Sequence, residues 1–117
     1  MNENEMQEKL EQVAMAIVVA AGDARLDVNH ALDSVEKFDF EEAREYIKEA
    51  RVNIAKAHSA QTETMQNEIA QGGNFPPSIL FNHAQDTLMT IMSEINIAER
   101  MVQLFEIMYK KIEEKGE

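Results

Sequence analysis

The sequence contains no cysteine and no tryptophan, and it has few proline, glycine and aromatic residues. Without cysteine, the chain cannot form disulfides, thiolate metal sites or a cysteine nucleophile. Aromatic residues make up only 6% of the chain, and eight methionines and many alanines fill the apolar positions instead. Because Ala, Met, Leu and Glu favour helices, this composition predicts helices packed on helices. The 117 residues are enough for one domain with a single core.

Long apolar runs and a basic surface are also missing. The longest apolar run, residues 13–21, is too short to span a bilayer. The acidic start, residues 1–5, is unlike the basic opening of a secretory signal, so we expect a cytoplasmic location. The formal net charge of -11 argues against binding to nucleic acid or anionic membranes. It would suit a basic protein partner, although the charge can equally serve solubility alone.

Apolar residues at helical spacing predict an all-α, antiparallel three-helix bundle in one domain, residues 1–117, with a flexible N-terminus at residues 1–4. Asp39, supported by Glu42, is the predicted cap of the second helix. Glycines and prolines in residues 71–77 separate the second helix from the third. The predicted helices span residues 5–36, 40–70 and 78–114. The predicted core positions are Leu10, Val13, Ile17, Ala20 or Ala21, Ala24, Val28, Leu32 and Val35 on the first helix, and Phe40, Ala43, Ile47, Ala50, Ile54, Ala57 and Met65 on the second.

The third helix carries two apolar faces, although a monomeric bundle needs only one on each helix. A second apolar face therefore indicates a helix that is buried on two sides, and self-association is the simplest explanation. Continued toward the N-terminus, the second face passes through Thr90, Asp86 and His83. The first face is Phe81, Ala84, Leu88, Ile91, Ile95, Ala98, Val102, Phe105, Tyr109 and Ile112, and the second is Ile97, Met101, Leu104 and Met108.

His83 and Asp86 are the strongest candidates for chemistry, because residues three apart on a helix project from the same side. The imidazole of His83 can act as a nucleophile near neutral pH, and Asp86 offers a fixed charge or a metal ligand. By spacing alone, the pair also fits an ordinary surface or core contact.

Three segments in the same order resemble the lactose/cellobiose-specific enzyme IIA family of the bacterial sugar phosphotransferase system. They are Ala21-Gly22-Asp23-Ala24-Arg25, the stretch from Glu49-Ala50 through Ala57-His58-Ser59-Ala60-Gln61-Thr62, and His83-Ala84-Gln85-Asp86 followed by Leu88-Met89-Thr90. The resemblance covers residues 17–106. Three segments at the family's spacing are far more specific than any one of them.

The resemblance implies a phosphocarrier of sugar uptake. His83 matches the family's phosphorylated histidine, which receives its phosphoryl group from the phosphocarrier HPr. The group would then pass to a cysteine of the cognate IIB component and serve β-glucoside or disaccharide transport through the membrane component IIC. The absence of cysteine means that this chain is not the IIB component. Family members are homotrimers with their third helices around a threefold axis.

The resemblance also implies a metal ligand at Asp86. This residue matches the family's aspartate, which meets its two symmetry mates around a divalent cation. Three carboxylates placed close together repel each other unless they are protonated or share a cation. Oxygen ligands alone suit a hard cation such as Mg²⁺, so we expect a structural magnesium ion shared by three subunits. A salt bridge or a helix cap is the alternative role for Asp86.

The chain departs from the family beside its site. Thr87 stands where a second histidine is common, so altered efficiency or partner preference is expected. Asn82 replaces a more usual aliphatic residue and adds a polar group.

Residues outside this segment have less certain roles. We expect His58 and Gln61 to form a polar contact between helices, and His30 to be solvated. Arg25 could contact phosphate, but an ion pair with Asp23 or another acid is the preferred interpretation. Gly22, inside a helix, indicates close approach by another group.

Three other functions remain as alternatives. A helical interaction or regulatory protein derived from the same fold would leave His83 vestigial. A histidine phosphotransfer domain of two-component signalling is less consistent with the sequence, because a basic residue and a glycine usually follow its histidine. A metal enzyme fits least, because one His and one Asp in each chain make a poor site without symmetry.

Overall fold

The three predicted helices are present, joined by two short connections. The structure, a computed structural model, describes residues 2–70, 72 and 76–116. Within these residues it contains no strand and three α-helices: α1 (Glu3–Glu36), α2 (Phe40–Ala70) and α3 (Ile79–Gly116). The all-α, three-helix class predicted from the sequence is confirmed.

Polar side chains cap the first turns of all three helices. The Asn2 Oδ1 atom accepts a hydrogen bond from the Glu5 backbone N–H at 2.9 Å, so α1 begins at Glu3, two residues earlier than predicted. Residues 3 and 4 are therefore helical, and Met1 lies outside the described residues. Asp39 Oδ1 accepts from the Glu42 N–H at 3.1 Å, as its predicted capping role requires. Ser78 Oγ accepts from the Phe81 N–H at 3.0 Å, which makes Ser78 the cap of α3.

The turn between α1 and α2 holds Phe38 in a left-handed backbone conformation, with a φ of 60°. The N–H groups of Phe38 and Asp39 donate to the carbonyls of Val35 and Ser34, both at 2.9 Å, which is the Schellman ending of a helix. Glycine usually occupies this position, because a side chain costs about 1–2 kcal/mol there. The Phe38 ring stacks on Tyr109 at a centroid distance of 4.9 Å, and this contact offsets part of the strain.

Side-chain pairs between helices define the direction of each helix. Along α2, Arg44 and Arg51 pair with Glu106 and Glu99, so α2 runs antiparallel to α3. Asn53 and Tyr46 of α2 contact Asp27 and His30 of α1, so α1 also runs antiparallel to α2 and in the same direction as α3. Arg25 on α1 pairs with Glu94 on α3, 69 residues later. The result is an elongated bundle measuring 70 × 19 × 18 Å.

The core consists of small and branched apolar residues along all three helices, and most predicted positions are buried. Ala21, and not Ala20, is buried on α1. Thr64 is buried on α2 where we predicted Met65, which is 43% exposed. The Thr64 hydroxyl donates to the Ala60 carbonyl at 2.9 Å, so this polar group is satisfied inside the bundle.

Two of the last three predicted core positions of α3 are wrong, because Phe105 and Ile112 are exposed. Tyr109 is partly buried and packs against the core. In the register set by Arg25 and Glu94, α1 ends opposite Phe105, so α3 extends beyond the helix that would have covered these residues.

Three arginines link the helices at the bundle surface. Arg25 donates to both carboxylate oxygens of Glu94, at 3.0 and 2.9 Å, which confirms the expected ion pair and identifies Glu94 as the acid. The hydrogen bond and the charge of Glu94 raise the pKa of Arg25. Because these pairs are partly solvated, each stabilises the fold only modestly.

Candidate functional site

His83 and Asp86 lie in the second turn of α3, where the Ser78 cap fixes the start of the helix. Both side chains are exposed. Ala84, which lies between them in the sequence, and Leu88, which follows them, are fully buried against the bundle. Their burial orients α3 and so directs His83 and Asp86 outward. Within the described residues, neither side chain makes a hydrogen bond or an ion pair, so both groups are available to a partner.

Two threonine hydroxyls bond to the backbone of the site residues. Thr87 Oγ1 donates to the His83 carbonyl at 2.9 Å, and Thr90 Oγ1 donates to the Asp86 carbonyl at 2.8 Å. Such bonds to the carbonyl four residues earlier are common for Thr in helices and can bend the helix slightly. Our sequence reasoning did not assign Thr90 this role, although a Thr four residues after each site residue was a visible signal.

His83 faces the groove between α1 and α3. At about 100° per residue, Glu94 and Met101 lie within about 20° of His83 around α3. Glu94 contacts Arg25 on α1, and Met101 lines a depression of about 350 Å³ between the same two helices. The imidazole therefore points to the α1 side of α3, about three turns before this depression.

Asp86 projects from the second apolar face of α3. Asp86 and Leu104 are five turns apart and point in the same direction. The four apolar residues of this face are between 38% and 59% exposed: Ile97, Met101, Leu104 and Met108. The subunit therefore leaves the face uncovered, as expected for a surface that contacts another chain.

A single subunit offers too few ligands for a metal ion. Among the described residues, no group of three or more His, Cys, Asp or Glu side chains comes together. Asp86 contributes one exposed carboxylate, and its oxygens suit a hard cation.

The other candidate residues do not join this site. His58 is exposed and Gln61 is half-buried, and within the described residues neither side chain makes a hydrogen bond to another helix, so the polar contact expected of them is not formed. The His30 ring lies 5.2 Å from Tyr46, and its Nδ1 atom lies 4.0 Å from Asp33. A Cβ atom added at Gly22 would meet nothing within 4 Å, so no group of the same subunit makes the close approach expected there.

None of the described helices contains a stretch that is both long and apolar enough to cross a bilayer.

Comparison with known proteins gives a consistent result over nearly the whole chain. The family described as "PTS system, Lactose/Cellobiose specific IIA subunit" matches residues 12–106. The chain is 38% identical to the lactose-specific EIIA component of Lacticaseibacillus casei, over 92% of this chain and 95% of that protein. It is 35% identical to the lichenan-specific phosphotransferase enzyme IIA component of Bacillus subtilis, over 95% and 97% of the two chains.

Solved structures share the fold. PtcA from S. mutans superposes with a TM-score of 0.81 at 35% identity, covering 91% of this chain and 99% of that chain. Two solution structures of a IIA(Chitobiose)–HPr complex have TM-scores of 0.76 and 0.71. The second is of the Escherichia coli phosphotransferase system. Their identities are 28% and 27%, with coverage of 86% of this chain and 96% of theirs.

Proposed function

Because the chain belongs to the lactose/cellobiose-specific IIA family of the phosphotransferase system, we propose that it carries a phosphoryl group on His83 between two other proteins of sugar uptake. As a member, it is a IIA component of that system, as the sequence predicts. The observation that carries the proposal is the imidazole of His83, which is exposed in the second turn of α3.

The transfer needs only a neutral imidazole and an aligned donor. A ring nitrogen of His83 attacks the phosphorus of a phosphohistidine on the donor, in line with the bond that breaks. The donor imidazole leaves with the electron pair of its nitrogen–phosphorus bond and takes up a proton, while His83 releases the proton from its other ring nitrogen. In the second step, a cysteine thiolate of the IIB component attacks the same phosphorus, and His83 leaves in turn.

The position of His83 in α3 favours the phosphorylated state. Side chains in a helix lean toward its N-terminus, so a phosphoryl group on His83 would lie over the first turn of α3. The helix dipole is positive there and stabilises an anion by about 0.3–1 kcal/mol at an exposed position.

HPr is the donor that we propose. The two IIA(Chitobiose) complexes are similar in fold to this chain and contain HPr as partner. The net charge of -11 suits a partner with a basic docking face, because opposite charges steer the two proteins into encounter. The acceptor would be the cysteine of a cognate IIB component, which works with the membrane component IIC. All steps on this chain would then take place in the cytoplasm.

We further propose that the protein acts as a homotrimer with α3 around the threefold axis. The uncovered second face of α3 supports this assembly, because its four apolar residues would be buried between subunits. Asp86 of three subunits would then converge, and a shared Mg²⁺ ion would neutralise their charges and act structurally.

The uncovered face also fits the second candidate, a helical interaction protein in which His83 has no chemical role. A two-step transfer experiment separates the two functions. The protein is incubated with phosphoenolpyruvate, enzyme I and HPr, its intact mass is recorded, and the cognate IIB component is then added. We expect one acid-labile phosphoryl adduct that disappears as IIB gains it. If the folded protein is not labelled by demonstrably phosphorylated HPr, the carrier function is wrong.

A further inference from the structure

An open depression lies between α1 and the first turn of α3, close to His83. It measures about 440 Å³, and its lining consists of Glu8, Glu11, Gln12 and Met15 of α1 and Leu80 of α3. Leu80 precedes His83 by three residues, so the two side chains are neighbours one turn apart on α3. Side chains in a helix lean toward its N-terminus, which directs His83 toward Leu80. The reactive imidazole therefore lies within about one turn of this depression.

The lining combines apolar surface with two free carboxylates. Met15 is 51% exposed, and Leu80 packs against the core but is only partly covered. Glu8 and Glu11 are exposed, and because they are three residues apart on α1 they project from the same side. Within the described residues, neither carboxylate makes an ion pair. We call Glu8, Glu11, Met15 and Leu80 the α1–α3 notch.

The end of the bundle that holds His83 is the more acidic end. The ion pairs of Arg25 and Arg51 with α3 place residues 14 and 67 level with His83. Residues 2–16, 58–70 and 76–93 therefore share this end, and they contain seven acidic side chains but a single lysine, Lys9. This end thus carries a net charge of -6 out of the total of -11. The acidic residues are Glu3, Glu5, Glu8, Glu11, Glu63, Glu68 and Asp86.

A phosphoryl donor must bring an anionic group to this acidic end. Without compensation, the carboxylates around His83 repel that group and slow the encounter. Cationic side chains on the donor offset the repulsion if they find carboxylates beside the imidazole, and the α1–α3 notch supplies two of them. Charge complementarity and the short distance to His83 both indicate that the notch contacts the donor.

A lysine or arginine side chain matches both parts of the lining. Each of these residues has an apolar stem and a cationic end. The stem would cover Met15 and Leu80, and the cationic end would lie between Glu8 and Glu11. An acidic side chain or a free anion would be repelled by the same two carboxylates.

We propose that the α1–α3 notch binds a lysine or arginine side chain of the phosphoryl donor and so holds the donor with its phosphohistidine facing His83. The proposal rests on the carrier function proposed above and names the surface that recognises the donor. The four notch residues take no part in the bond changes and act only by positioning the donor. Their contribution is to binding, so it belongs in KM and not in kcat.

Neutralising both carboxylates tests the docking. The full chain with Glu8→Gln and Glu11→Gln is phosphorylated by phospho-HPr at a series of HPr concentrations, and the initial rates give KM and kcat. The same variant is then incubated with the IIB component to measure the second transfer. Both positions are exposed, so the subunit should keep its fold, which circular dichroism verifies.

A second pair of glutamates provides the matched control. Glu42 and Glu45 are also exposed and three residues apart, and the Arg44–Glu106 pair places them near the other end of the bundle. The distance from His83 is about 35 Å along α3. Glu42→Gln with Glu45→Gln therefore makes the same change of charge far from the notch.

We expect the notch variant to raise KM for phospho-HPr about tenfold and to keep kcat within about twofold of wild type, while the control changes neither. Salt gives a second readout. The kcat/KM of the wild type should fall between about 0.02 M and about 0.3 M salt, because screening weakens the charge pairing, and that of the notch variant should fall less.

A KM equal to that of the control would overturn the docking. A lower kcat at unchanged KM would also overturn it, because the carboxylates would then act on the transfer itself. Normal labelling by phospho-HPr with slower transfer to IIB would mean that the notch recognises the acceptor and not the donor. If demonstrably phosphorylated HPr fails to label even the folded wild type, the carrier function itself is wrong, and this outcome is separate from a defect of the variant alone.

Discussion

The hydroxyl of Thr87 donates a hydrogen bond to the backbone carbonyl of His83, at 2.9 Å. The proton of this hydroxyl is thus committed to the helix backbone and is not aimed at the space in front of the imidazole. Thr87 stands where the resemblance leads one to expect a second histidine, so the candidate site has no second imidazole at this position.

We therefore predict that Thr87→Val is phosphorylated by phospho-HPr at a rate within about threefold of wild type. Valine keeps the shape of threonine and removes only a bond to the backbone, which contributes about 1 kcal/mol to stability at most sites. The rate is obtained by stopping the phosphorylation reaction at several times and recording the intact mass of the protein. A loss of tenfold or more, with the helix content unchanged, would mean that the hydroxyl contacts the phosphoryl group.

The role of Asp86 can be tested through the dependence of assembly on metal ions. If three copies of Asp86 share a cation, EDTA should lower the molar mass of the wild type at low protein concentration, because the uncompensated carboxylates repel each other. Asp86→Asn removes that repulsion, so its molar mass should not respond to EDTA. Equal masses of the wild type with and without EDTA would contradict the shared cation.

The Arg44–Glu106 pair predicts part of the acid sensitivity of the fold. The hydrogen bond and charge of Arg44 hold the pKa of Glu106 below its usual value of 4.5. A carboxylate with a lowered pKa in the folded state stabilises that state above its unfolded pKa, and the contribution is lost as the pH falls through its folded pKa. Glu106→Gln should therefore lose less stability than wild type between pH 6 and about pH 3.

Urea denaturation at several pH values measures this difference. Glu63→Gln, which removes an exposed carboxylate outside the described ion pairs, is the control and should follow the wild type. An acid profile of Glu106→Gln that superposes on the wild type would show that the pair is broken in solution.

Two substitutions of Phe38 distinguish backbone strain from side-chain packing in the turn between α1 and α2. Phe38→Ala and Phe38→Gly both lose the stacking on Tyr109, but only glycine relieves the left-handed φ of 60°. We predict that the glycine variant is more stable than the alanine variant by about 1 kcal/mol, seen as a difference in the free energy of unfolding. Equal stabilities would mean that the turn changes its conformation when the ring is removed.

Local signals in the sequence were sufficient to predict the helices. The Asp39 cap and the break at residues 71–77 placed the boundaries of α2 and α3 within about two residues. The family resemblance drawn from three short segments is confirmed by the match over residues 12–106.

The packing of the helices on one another could not be predicted from the sequence. Helical spacing could not tell Thr64 from its neighbour Met65, because which of them is buried depends on how α2 packs on the other helices. Nor did it show that α1 ends opposite Phe105, which leaves the end of α3 uncovered. The position of His83 on the α1 side of α3 follows from the Arg25–Glu94 pair, and only the packed bundle shows this pair.

The central claim is that His83 is the residue that receives the phosphoryl group, and three single variants test it most directly. His30→Ala, His58→Ala and His83→Ala, each shown to be folded, are incubated with phosphoenolpyruvate, enzyme I and HPr, and their intact masses are recorded. We predict one phosphoryl adduct on His30→Ala and His58→Ala and none on His83→Ala. An adduct that persists on His83→Ala, or that disappears from His58→Ala alone, would contradict the assignment.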